Sequence, residues 1–459
     1  MSSNAAPNQA LDRAIRKAYW RLIPLLFICY VIAYIDRVNV SFAKLNMQTD
    51  LAGNGFSESV FGFGMGIFFL GYLLLEIPGT LLVERWSARK WISRIMISWG
   101  FIAAMTAFVR TPSQFYGIRF LLGLAEAGFF PGIIVYLTHW FPSRDRTRAL
   151  ALFLIASPIS GMIGPPLSNV LMGIGVGDQP RLLGLVGWQW VFIAWGIPAV
   201  ILGFVVLKFL TDRPGQAAWL SVEERAALEA ELAREKAEHQ LGSGHLTISQ
   251  ALTNPKILLL ALAYFFVVTG NYGIELYMAS IFKSWYGLEV KKVAWLLVIT
   301  SVGSLIGQIL IGWNSDRTLE RRWHASLPIL MGAAALALAP FSKGNLWLSV
   351  ALFTLTMTGV KAYLPAFWAL PSLLMTASAA AASIGLINSF GNLGGWVGPS
   401  VVGAIKQYAD QHLQGDVGYS IGLWFLAASM VVAAIMIIRL GIGKQASGTK
   451  AAGAKAVDF

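Results

Sequence analysis

Residues 34–44 read Tyr34-Ile-Asp-Arg-Val-Asn-Val-Ser-Phe-Ala-Lys44 and place an acid beside a base near the end of an apolar run. That run begins at about Leu22, and its other charged residues lie at its edges. A helix needs ~20 apolar residues to cross the hydrocarbon core of a bilayer. Ionisable groups inside such a span are costly and usually functional. The stretch therefore predicts a transmembrane helix with a functional site at Asp36 and Arg37.

The composition of the whole chain is that of a membrane protein. Of 459 residues, 56% are hydrophobic and 13% are charged, whereas an ordinary soluble domain is ~25% charged. The net charge of +12 could indicate nucleic acid, but the basic residues flank apolar runs and form no basic face, so we expect no nucleic-acid partner. The single cysteine, Cys29, excludes an intramolecular disulfide and a cysteine metal site.

Twelve apolar runs are long enough to span a bilayer as helices. They cover residues 19–41, 56–83, 91–109, 115–140, 148–173, 186–210, 255–281, 293–313, 325–342, 345–370, 378–404 and 418–440. Lys and Arg are concentrated in the tails and short loops on the side of the N-terminus, which by the positive-inside rule places both termini in the cytoplasm. We expect a multi-pass protein of a bacterial-type inner (plasma) membrane.

The runs fall into two groups of six around a polar linker. We predict an N-terminal half over residues 1–210, a cytoplasmic linker over 211–254 and a C-terminal half over 255–441. In the linker, Ser221-Val-Glu-Glu224 is a capping-box pattern that predicts a short amphipathic helix. The tail over 442–459 is rich in Gly, Ala, Ser and Lys and is predicted to be disordered.

Two short motifs repeat at nearly the same offset and indicate an internal duplication. Glu84-Arg85, followed after three residues by Arg89-Lys90, recurs in the second half as Asp316-Arg317 and Arg321-Arg322. Gly161-Met-Ile-Gly-Pro165 recurs, almost equally far along the chain, as Gly395-Trp-Val-Gly-Pro399. Parallel repeats of six helices are a plan of transporters that bind substrate near the midplane, between the halves.

The loops with an acid and several bases suggest a conformational latch. A carboxylate at a helix end can cap the positive N-terminus of a neighbouring helix and pair with loop arginines. The predicted latch residues are Glu84, Arg85, Arg89, Asp316 and Arg317. The alternative for the basic residues is that they only set topology, an explanation that fits the acids less well because acids contribute little to topology.

Several further motifs carry a family resemblance over nearly the whole chain. They are Tyr34-Ile-Asp-Arg-Val-Asn39, Gly71-Tyr-Leu-Leu-Leu-Glu-Ile-Pro78, Glu84-Arg85 with Arg89-Lys90, Arg119-Phe-Leu-Leu-Gly-Leu-Ala-Glu126 through Pro131, Gly187-Trp-Gln-Trp190, Asp212-Arg-Pro214, Phe367-Trp-Ala-Leu-Pro371 and Asn388-Ser-Phe-Gly-Asn-Leu-Gly-Gly395. Together they resemble the major facilitator superfamily, in particular its anion:cation symporter branch of organic-anion permeases. The resemblance implies an all-α membrane protein with twelve transmembrane helices in two six-helix repeats.

The resemblance also bears on the substrate. The Trp-Ala-Leu-Pro and Asn-Leu-Gly-Gly pieces are most similar to permeases for tartrate, phthalate, hydroxyphenylacetate and related carboxylates, with galactonate transporters in the same branch. Two positions depart from the family pattern: Ser87 stands where the loop motif usually has Gly, and Trp195 stands where the sixth helix often has an acid.

Arg37 is the predicted anchor for the substrate. A guanidinium can bind a carboxylate through two parallel hydrogen bonds, which is what an organic-anion site requires. The resemblance implies the same role, since the matching Arg in the family contacts substrate. The alternatives are a permanent pair with Asp36 or a side chain that extends to the membrane surface.

Asp36 and Glu126 are the predicted proton-coupling acids, because a carboxyl group in a low-dielectric site can titrate near neutral pH. Arg119 lies seven residues before Glu126 on the same helical face. Glu126 would pair with this cation when ionised and release it when protonated. The alternative is a static structural ion pair.

Lys361 maps almost onto Glu126 at the repeat offset, so the two halves place opposite charges on corresponding helices. It is either a second cation for a dicarboxylate or aromatic acid, or it balances an acid such as Glu126. Trp368 lies seven residues on and shares its face. The rest of the predicted substrate set is polar or aromatic: Tyr34, Tyr72, Tyr272, Asn388 and Asn392.

Single Asn and Tyr residues within spans more often form hydrogen bonds between helices than contact substrate. Clusters on one face are better cavity candidates, and one such stripe holds Tyr264, Asn271 and Glu275. Glu76, before Pro78, lies near the predicted cytoplasmic edge of its span, and we expect a structural role for it.

These residues predict a monomeric, proton-coupled symporter that imports a small organic anion, namely a sugar acid, dicarboxylate or aromatic carboxylate, with H⁺ as coupling ion and no cofactor or metal. An anion exchanger or sodium-coupled carrier of the same fold is the nearest alternative, and a transporter-like sensor is a more distant one. An enzyme is disfavoured because the sequence contains no paired-His metal motif, no phosphate-binding glycine loop and no nucleophile constellation.

Overall fold

A computed structural model describes residues 5–177, 179–242, 253–374, 377–413 and 417–441. Within these ranges the regular structure is helical, apart from one isolated bridge between Leu182 and Leu185. The tail predicted over 442–459 and the end of the linker lie outside the described residues.

Sixteen α-helices occupy the described ranges. They are α1 (Ala5–Asp50), α2 (Glu58–Arg85), α3 (Ala88–Met105), α4 (Pro112–Glu126), α5 (Phe129–Thr138), α6 (Ser143–Leu154), α7 (Ala156–Met172), α8 (Gly187–Phe209), α9 (Val222–Gly242), α10 (Pro255–Tyr286), α11 (Val290–Thr318), α12 (Arg322–Leu338), α13 (Leu346–Ala362), α14 (Leu364–Leu374), α15 (Ala377–His412) and α16 (Gly418–Arg439).

Eleven helical stretches among the described residues are long and apolar enough to cross a membrane. The remaining predicted span, residues 378–404, falls within α15. The chain is therefore an all-α, multi-pass membrane protein, as the sequence predicts. We call the end of the bundle that carries α9 the linker face, and the opposite end the distal face.

The first helix is much longer than the apolar run that predicts it. Its 46 residues give a length of ~69 Å, so its first turns extend beyond the membrane and pack against α9. The capping box of α9 forms, since the Ser221 backbone N–H donates to Glu224 and the Glu224 backbone N–H donates to the Ser221 hydroxyl. The Lys17 ammonium also donates to Glu224 and holds the pKa of that carboxyl below its usual value.

The fourth and tenth spans are each broken at the same place in the repeat. In the fourth, α4 ends at Glu126 and α5 begins after Gly128, whose φ of +83° lies in the left-handed region that favours glycine. In the tenth, α13 ends one residue after Lys361, just before Pro365 removes a backbone donor. The sequence predicted continuous helices, but the breaks place Glu126 and Lys361 at helix ends.

Packing around the repeated glycines supports the duplication. Gly164 packs against Ile35, and its counterpart Gly398 packs against Thr269. Thr269 follows Ile35 in the chain by the same offset that separates the two glycines. At each of these glycines, an added Cβ would meet the facing helix, which is why both repeats retain glycine there.

Contacts across the interface between the two halves also agree with the repeat offset. Gly161 packs against Ser301, and its counterpart Gly395 packs against Phe69. Ser301 follows Phe69 by the same offset that relates the two loop motifs. Equivalent positions of the two repeats thus make equivalent contacts across the interface between them.

The two halves are joined tightly at the distal face. The Ser59 backbone N–H donates to the Gln407 side chain at 3.1 Å, and the Tyr277 hydroxyl donates to the Glu58 carbonyl at 3.2 Å. A Cβ added to Gly62 would lie 2.5 Å from a backbone carbonyl oxygen of α15, so α2 and α15 approach as closely as their backbones permit. These contacts join the two halves at the distal end of the bundle.

Two acids that were not among the predicted latch residues cap the helices that follow the loop motifs. Asp212 accepts hydrogen bonds from the Arg89 backbone N–H and the Ser87 hydroxyl at the start of α3, each at 2.8 Å. In the second half, Glu320 accepts from the Trp323 and His324 backbone N–H groups at the start of α12. Both acids lie at helix N-termini, where a negative charge is stabilising.

The latch residues themselves are placed as follows. Asp316 pairs with Arg321 of its own loop, and Arg317 stacks over Trp313 at 5.4 Å. Arg89 also lies near the Asp212 carboxylate through its guanidinium, at 4.0 Å. The side chains of Glu84 and Arg85 lie outside those that the structure describes, so the latch stays a prediction there.

Candidate functional site

A central cavity lies between the halves at the level where the predicted site residues meet. Its empty space, which includes open solvent at its mouth, is about 810 Å³. Its described lining comes from both halves: Tyr30, Tyr34, Arg37, Phe69, Tyr72, Phe130, Leu154, Ser157, Tyr264, Val268, Asn271, Tyr272, Gln308, Val360, Lys361, Tyr363, Leu364, Trp368, Asn388 and Asn392. Among these described lining residues, two are basic, Arg37 and Lys361, and none is acidic.

Arg37 projects from α1 into this cavity and pairs with Glu126. One Nη donates to the Tyr272 hydroxyl at 3.0 Å and the other forms an ion pair with Glu126. The guanidinium also lies over the rings of Phe68 and Tyr72, at 5.4 and 5.5 Å. Aromatic faces and a buried acid therefore fix the predicted anchor at the cavity wall.

Asp36, the sequence neighbour of Arg37, points the other way. Its carboxylate is buried and accepts hydrogen bonds from the Trp99 indole at 2.5 Å and the Asn39 amide at 2.8 Å, both in the N-terminal half. It is not among the described lining residues of the cavity. A permanent Arg37–Asp36 pair, one alternative left open by the sequence, is therefore not what forms.

Arg119 does not make the predicted pair with Glu126. Its Nε donates to the Gly64 carbonyl at 3.4 Å, and its guanidinium lies over Phe68 at 5.2 Å. The two residues are separated by ~10.5 Å of helical rise, and no Arg119–Glu126 ion pair forms, although the two charges interact through space. Arg37, arriving from α1, takes the place that the sequence assigned to Arg119.

Glu126 is completely buried behind Arg37. Its side chain is 0% exposed, and its Oε2 atom has no hydrogen-bond partner among the described residues. Arg37 is its ion-pair partner, and Arg119 adds positive charge nearby. Removal of one partner of a buried ion pair is strongly destabilising, so Glu126 is sensitive to the loss of Arg37.

Lys361 forms a second ion pair, and its partner is Glu275 rather than Glu126. The ammonium lies 3.0 Å from the Glu275 carboxylate and also donates to the Tyr34 hydroxyl. Tyr34 in turn donates to Glu275 at 2.9 Å. Glu275 was not among the predicted site residues, although its place in the stripe with Tyr264 and Asn271 was a usable signal.

The two ion pairs are arranged alike in the two halves, with their charges inverted, although Glu275 lies four residues beyond the position that the repeat offset between Ile35 and Thr269 assigns to Arg37. Arg37 on α1 pairs with Glu126 on α4, whereas Glu275 on α10 pairs with Lys361 on α13. A tyrosine precedes the charged residue by three positions on both α1 and α10. Each of these tyrosines contacts the charged residue of the other half, so Tyr34 binds Glu275 and Tyr272 binds Arg37.

Glu76 holds the halves together on the linker side of the cavity. Its carboxylate accepts from the Ser389 hydroxyl at 3.1 Å and the Asn392 amide at 3.2 Å, and it also contacts the Asn388 amide. Asn388 and Asn392 both line the cavity, but these amide groups are already engaged by Glu76. The structural role expected for Glu76 is thus an inter-half contact, which the sequence did not identify.

Aromatic residues complete the cavity wall. The Trp368 ring lies 5.1 Å from the Tyr264 ring in an edge arrangement, and Tyr72 stands beside Arg37. Trp195, on α8, donates its indole N–H to Ser168 at 2.9 Å and is remote from the described lining. Within the described ranges, no group of three or more His, Cys, Asp or Glu residues could hold a metal ion.

Comparisons with known proteins match both the sequence and the fold. A family profile described as Major Facilitator Superfamily matches residues 26–399. The chain is 41% identical over 433 residues to a protein of Agrobacterium vitis named as a candidate tartrate transporter, covering 94% of this chain and 92% of that protein. It is 38% identical over 424 residues to a candidate metabolite transport protein, NicT, of Pseudomonas putida, covering 92% and 93% of the two chains.

A solved structure shows the same fold. The chain is similar, with a TM-score of 0.69 and 17% identity, to a bacterial homologue of the human lysosomal transporter Spinster in an inward-facing and occupied conformation. The match covers 92% of this chain and 96% of that chain. At this identity the likeness concerns the fold alone.

Proposed function

The chain belongs to the Major Facilitator Superfamily, and on that premise we propose that it imports a small organic anion together with protons. It is a membrane transporter and not an enzyme. The proposed substrates are sugar acids, dicarboxylates and aromatic carboxylates, and the relative named for tartrate supports the dicarboxylate class. The proposed location is a bacterial-type inner membrane with the linker face in the cytoplasm, which the distribution of Lys and Arg favours.

One observation carries the proposal: Arg37 faces the cavity while its acid partner, Glu126, lies fully buried behind it. A guanidinium at a cavity wall is suited to a carboxylate because it offers paired donors in a fixed plane. Its competition with Glu126 links the binding of an anion to the charge of a buried acid.

Coupling follows from this competition. When a substrate carboxylate binds Arg37, an ionised Glu126 loses most of its compensating charge in a low-dielectric site, which is unfavourable. A proton on Glu126 removes that penalty, so the anion and the proton favour each other's binding. After both leave, the Arg37–Glu126 pair reforms and the empty carrier returns with a neutral pair at its centre.

Asp36 and Arg119 stay in the proposal as secondary proton-coupling residues. Asp36 is buried among donors of the N-terminal half and lies outside the described lining, so we assign the first proton to Glu126. Arg119 supplies a further buried positive charge in the same half.

Movement of the halves completes the proposed cycle. The distal contacts of Ser59 with Gln407 and of Tyr277 with Glu58 must break for substrate to enter from that side. Alternating access in this kind of fold is largely a rocking of one repeat against the other around a fixed central site. The central ion pairs would then approach and separate across the cavity during the cycle.

The test uses the purified protein in proteoliposomes with a pH-sensitive dye in the lumen. An inward tartrate gradient is expected to acidify the lumen, and an imposed proton gradient is expected to concentrate labelled tartrate. Glu126→Gln is expected to abolish concentration while sparing exchange of labelled for unlabelled anion. Normal accumulation by that variant would refute the role of Glu126.

The rival mechanisms give different results in the same vesicles. A proton ionophore should collapse accumulation by a symporter but leave an exchanger or a sodium-coupled carrier working. If accumulation survives the ionophore and follows a sodium gradient, proton coupling is wrong while organic-anion transport stands. Arg37→Ala should remove binding, measured as the loss of the thermal shift produced by tartrate.

A further inference from the structure

Two cations from opposite halves face the same cavity, and only one of them is needed to anchor a single carboxylate. Arg37 comes from α1 and Lys361 from α13. Their acid partners, Glu126 and Glu275, are absent from the described lining. A ligand in the cavity therefore meets the positive member of each ion pair.

Both cations retain donors that their described partners do not use. A lysine ammonium has three N–H donors, and the described partners of Lys361 are the Tyr34 hydroxyl and the Glu275 carboxylate. The Nε atom of Arg37 is buried without a hydrogen-bond partner in the described part of the chain. Lys361 can thus donate to a ligand carboxylate while it stays paired with Glu275, whereas Arg37 would turn its Nη groups from Tyr272 and Glu126 to a carboxylate.

Tyr34 connects the two cations. Its hydroxyl accepts a hydrogen bond from the Lys361 ammonium, and it precedes Arg37 by three residues on α1, about one turn of the helix. A short ligand with two carboxylates can present one to each cation, whereas a single carboxylate reaches only one of them.

Building on the proposed function, we propose that Lys361, held by Glu275 and Tyr34, is a second carboxylate subsite that makes the transporter selective for short dianions spanning from Arg37 to Lys361.

The state of Glu275 is consistent with this subsite. Its side chain is 13% exposed, in contrast to 0% for Glu126, and it keeps two contacts with the Tyr34 hydroxyl when Lys361 turns to a ligand. Loss of its cation therefore costs Glu275 less than loss of Arg37 costs Glu126. Lys361 is free to act as a ligand group for this reason.

A bridging dianion would also join the halves. The described links between the halves at this level are the reciprocal contacts of Tyr34 with Glu275 and of Arg37 with Tyr272, together with the Lys361 contact to Tyr34. A dianion adds two charge-assisted bonds, one to each half, and these are stronger than bonds between neutral groups. A monoanion provides only one such bond and leaves the other half unattached.

The experiment compares ligands of the same carbon skeleton that differ by one charge. Binding of tartrate, succinate and glutarate to the purified full chain is measured by isothermal titration, each against its monomethyl ester. At least one diacid is expected to bind tenfold or more tighter than its half-ester. This comparison uses the unmodified protein, so a negative result cannot be attributed to a folding defect in a variant.

A charge-neutral variant then assigns the preference to the subsite. Lys361→Met/Glu275→Gln removes the pair without changing the net charge, and it should lower the diacid to half-ester ratio to about one while half-ester affinity stays within threefold. Lys361→Arg should retain the preference. The matched control is Lys406→Met/Asp410→Asn, an ion pair within α15 and outside the described lining, and its ratio should equal that of the unmodified protein.

The outcomes separate this inference from the proposed function. Equal affinity for diacids and half-esters, or an unchanged ratio in Lys361→Met/Glu275→Gln, refutes the second subsite but leaves Arg37 as an anchor for monoanions. Absence of binding by every diacid and half-ester refutes the proposed function and the subsite with it.

Discussion

Replacement of Arg37 by Met tests the central ion pair most directly. The substitution leaves Glu126 with no described donor and no exposed surface. Removal of one partner of a buried pair costs about 3–5 kcal/mol, because the remaining charge is uncompensated. Glu126→Gln should cost less, about 1–3 kcal/mol, since Arg37 keeps Tyr272 and the faces of Phe68 and Tyr72.

The double variant Arg37→Met/Glu126→Gln should be more stable than Arg37→Met alone, because no buried charge is left without a partner. Removal of the cation from the Lys361–Glu275 pair should lower the stability less than removal of Arg37. Lys361→Met is expected to cost about 1–3 kcal/mol, since Glu275 keeps the Tyr34 hydroxyl and 13% exposure.

The assay is equilibrium unfolding in mixed micelles, followed by tryptophan fluorescence, with a double-mutant cycle for the pair. Acidic pH should reduce the penalty of Arg37→Met, because a protonated Glu126 carries no charge. Lys406→Met serves as the control and should cost less than Arg37→Met, since its partner Asp410 is 42% exposed and keeps solvent when the lysine is removed. Additive costs for Arg37 and Glu126 would refute the coupling.

Three further predictions concern other parts of the bundle. The folded-state pKa of Glu224 is lowered chiefly by its hydrogen bond with Lys17. Docking of α9 on α1 should therefore be strong above the ordinary Glu pKa of ~4.3 and weaken as pH falls through the lowered value, which is measured as faster proteolysis of the linker. Lys17→Met should weaken docking already at neutral pH. The pair Ser59→Cys/Gln407→Cys is introduced in a background without the native cysteine. Oxidation should cross-link the distal face and stop transport until a reductant is added. Uninterrupted transport by the cross-linked protein would contradict opening at the distal face. Gly128→Ala should cost about 1–2 kcal/mol, measured in the same unfolding assay, because φ at this position is +83°; an unchanged stability would mean that the break between α4 and α5 relaxes freely.

Much of the fold follows from local sequence. Spans appear because a bilayer requires ~20 apolar residues in a helix that satisfies its own backbone. The repeat was visible because identical packing needs keep the same glycines: Gly164 and Gly398 each allow a neighbouring helix to approach. Such features depend on composition and spacing, which a single sequence contains.

The breaks in the fourth and tenth spans were harder to predict from the sequence. A single glycine such as Gly128, or a proline such as Pro365, is tolerated in many transmembrane helices, because neighbouring groups can satisfy the freed backbone atoms. Only the packed structure shows that these two interrupt their helices, and that the interruptions put Glu126 and Lys361 at corresponding ends.

Several of the predicted site residues line the cavity, but their ion-pair partners differ from the predicted ones. Arg37, Lys361 and Trp368 do face one cavity, as charges and aromatic groups in a span suggest. In the sequence, Asp36 was a candidate partner of Arg37 because the two are adjacent, and Arg119 was the predicted partner of Glu126 because the two share a helical face. A charged side chain in a bundle pairs with whatever the facing helix presents, and sequence distance does not report it.

The sequence by itself thus determined the membrane class, the two repeats and the positions of charged residues within the spans, since bilayer thickness and the cost of buried charge act on each helix separately. The tertiary structure alone decided the pairing of Arg37 with Glu126 and of Lys361 with Glu275, and the two tyrosines that cross between halves. Those contacts join residues 86 to 241 positions apart. Helix packing sets them, and no local pattern encodes which faces will meet.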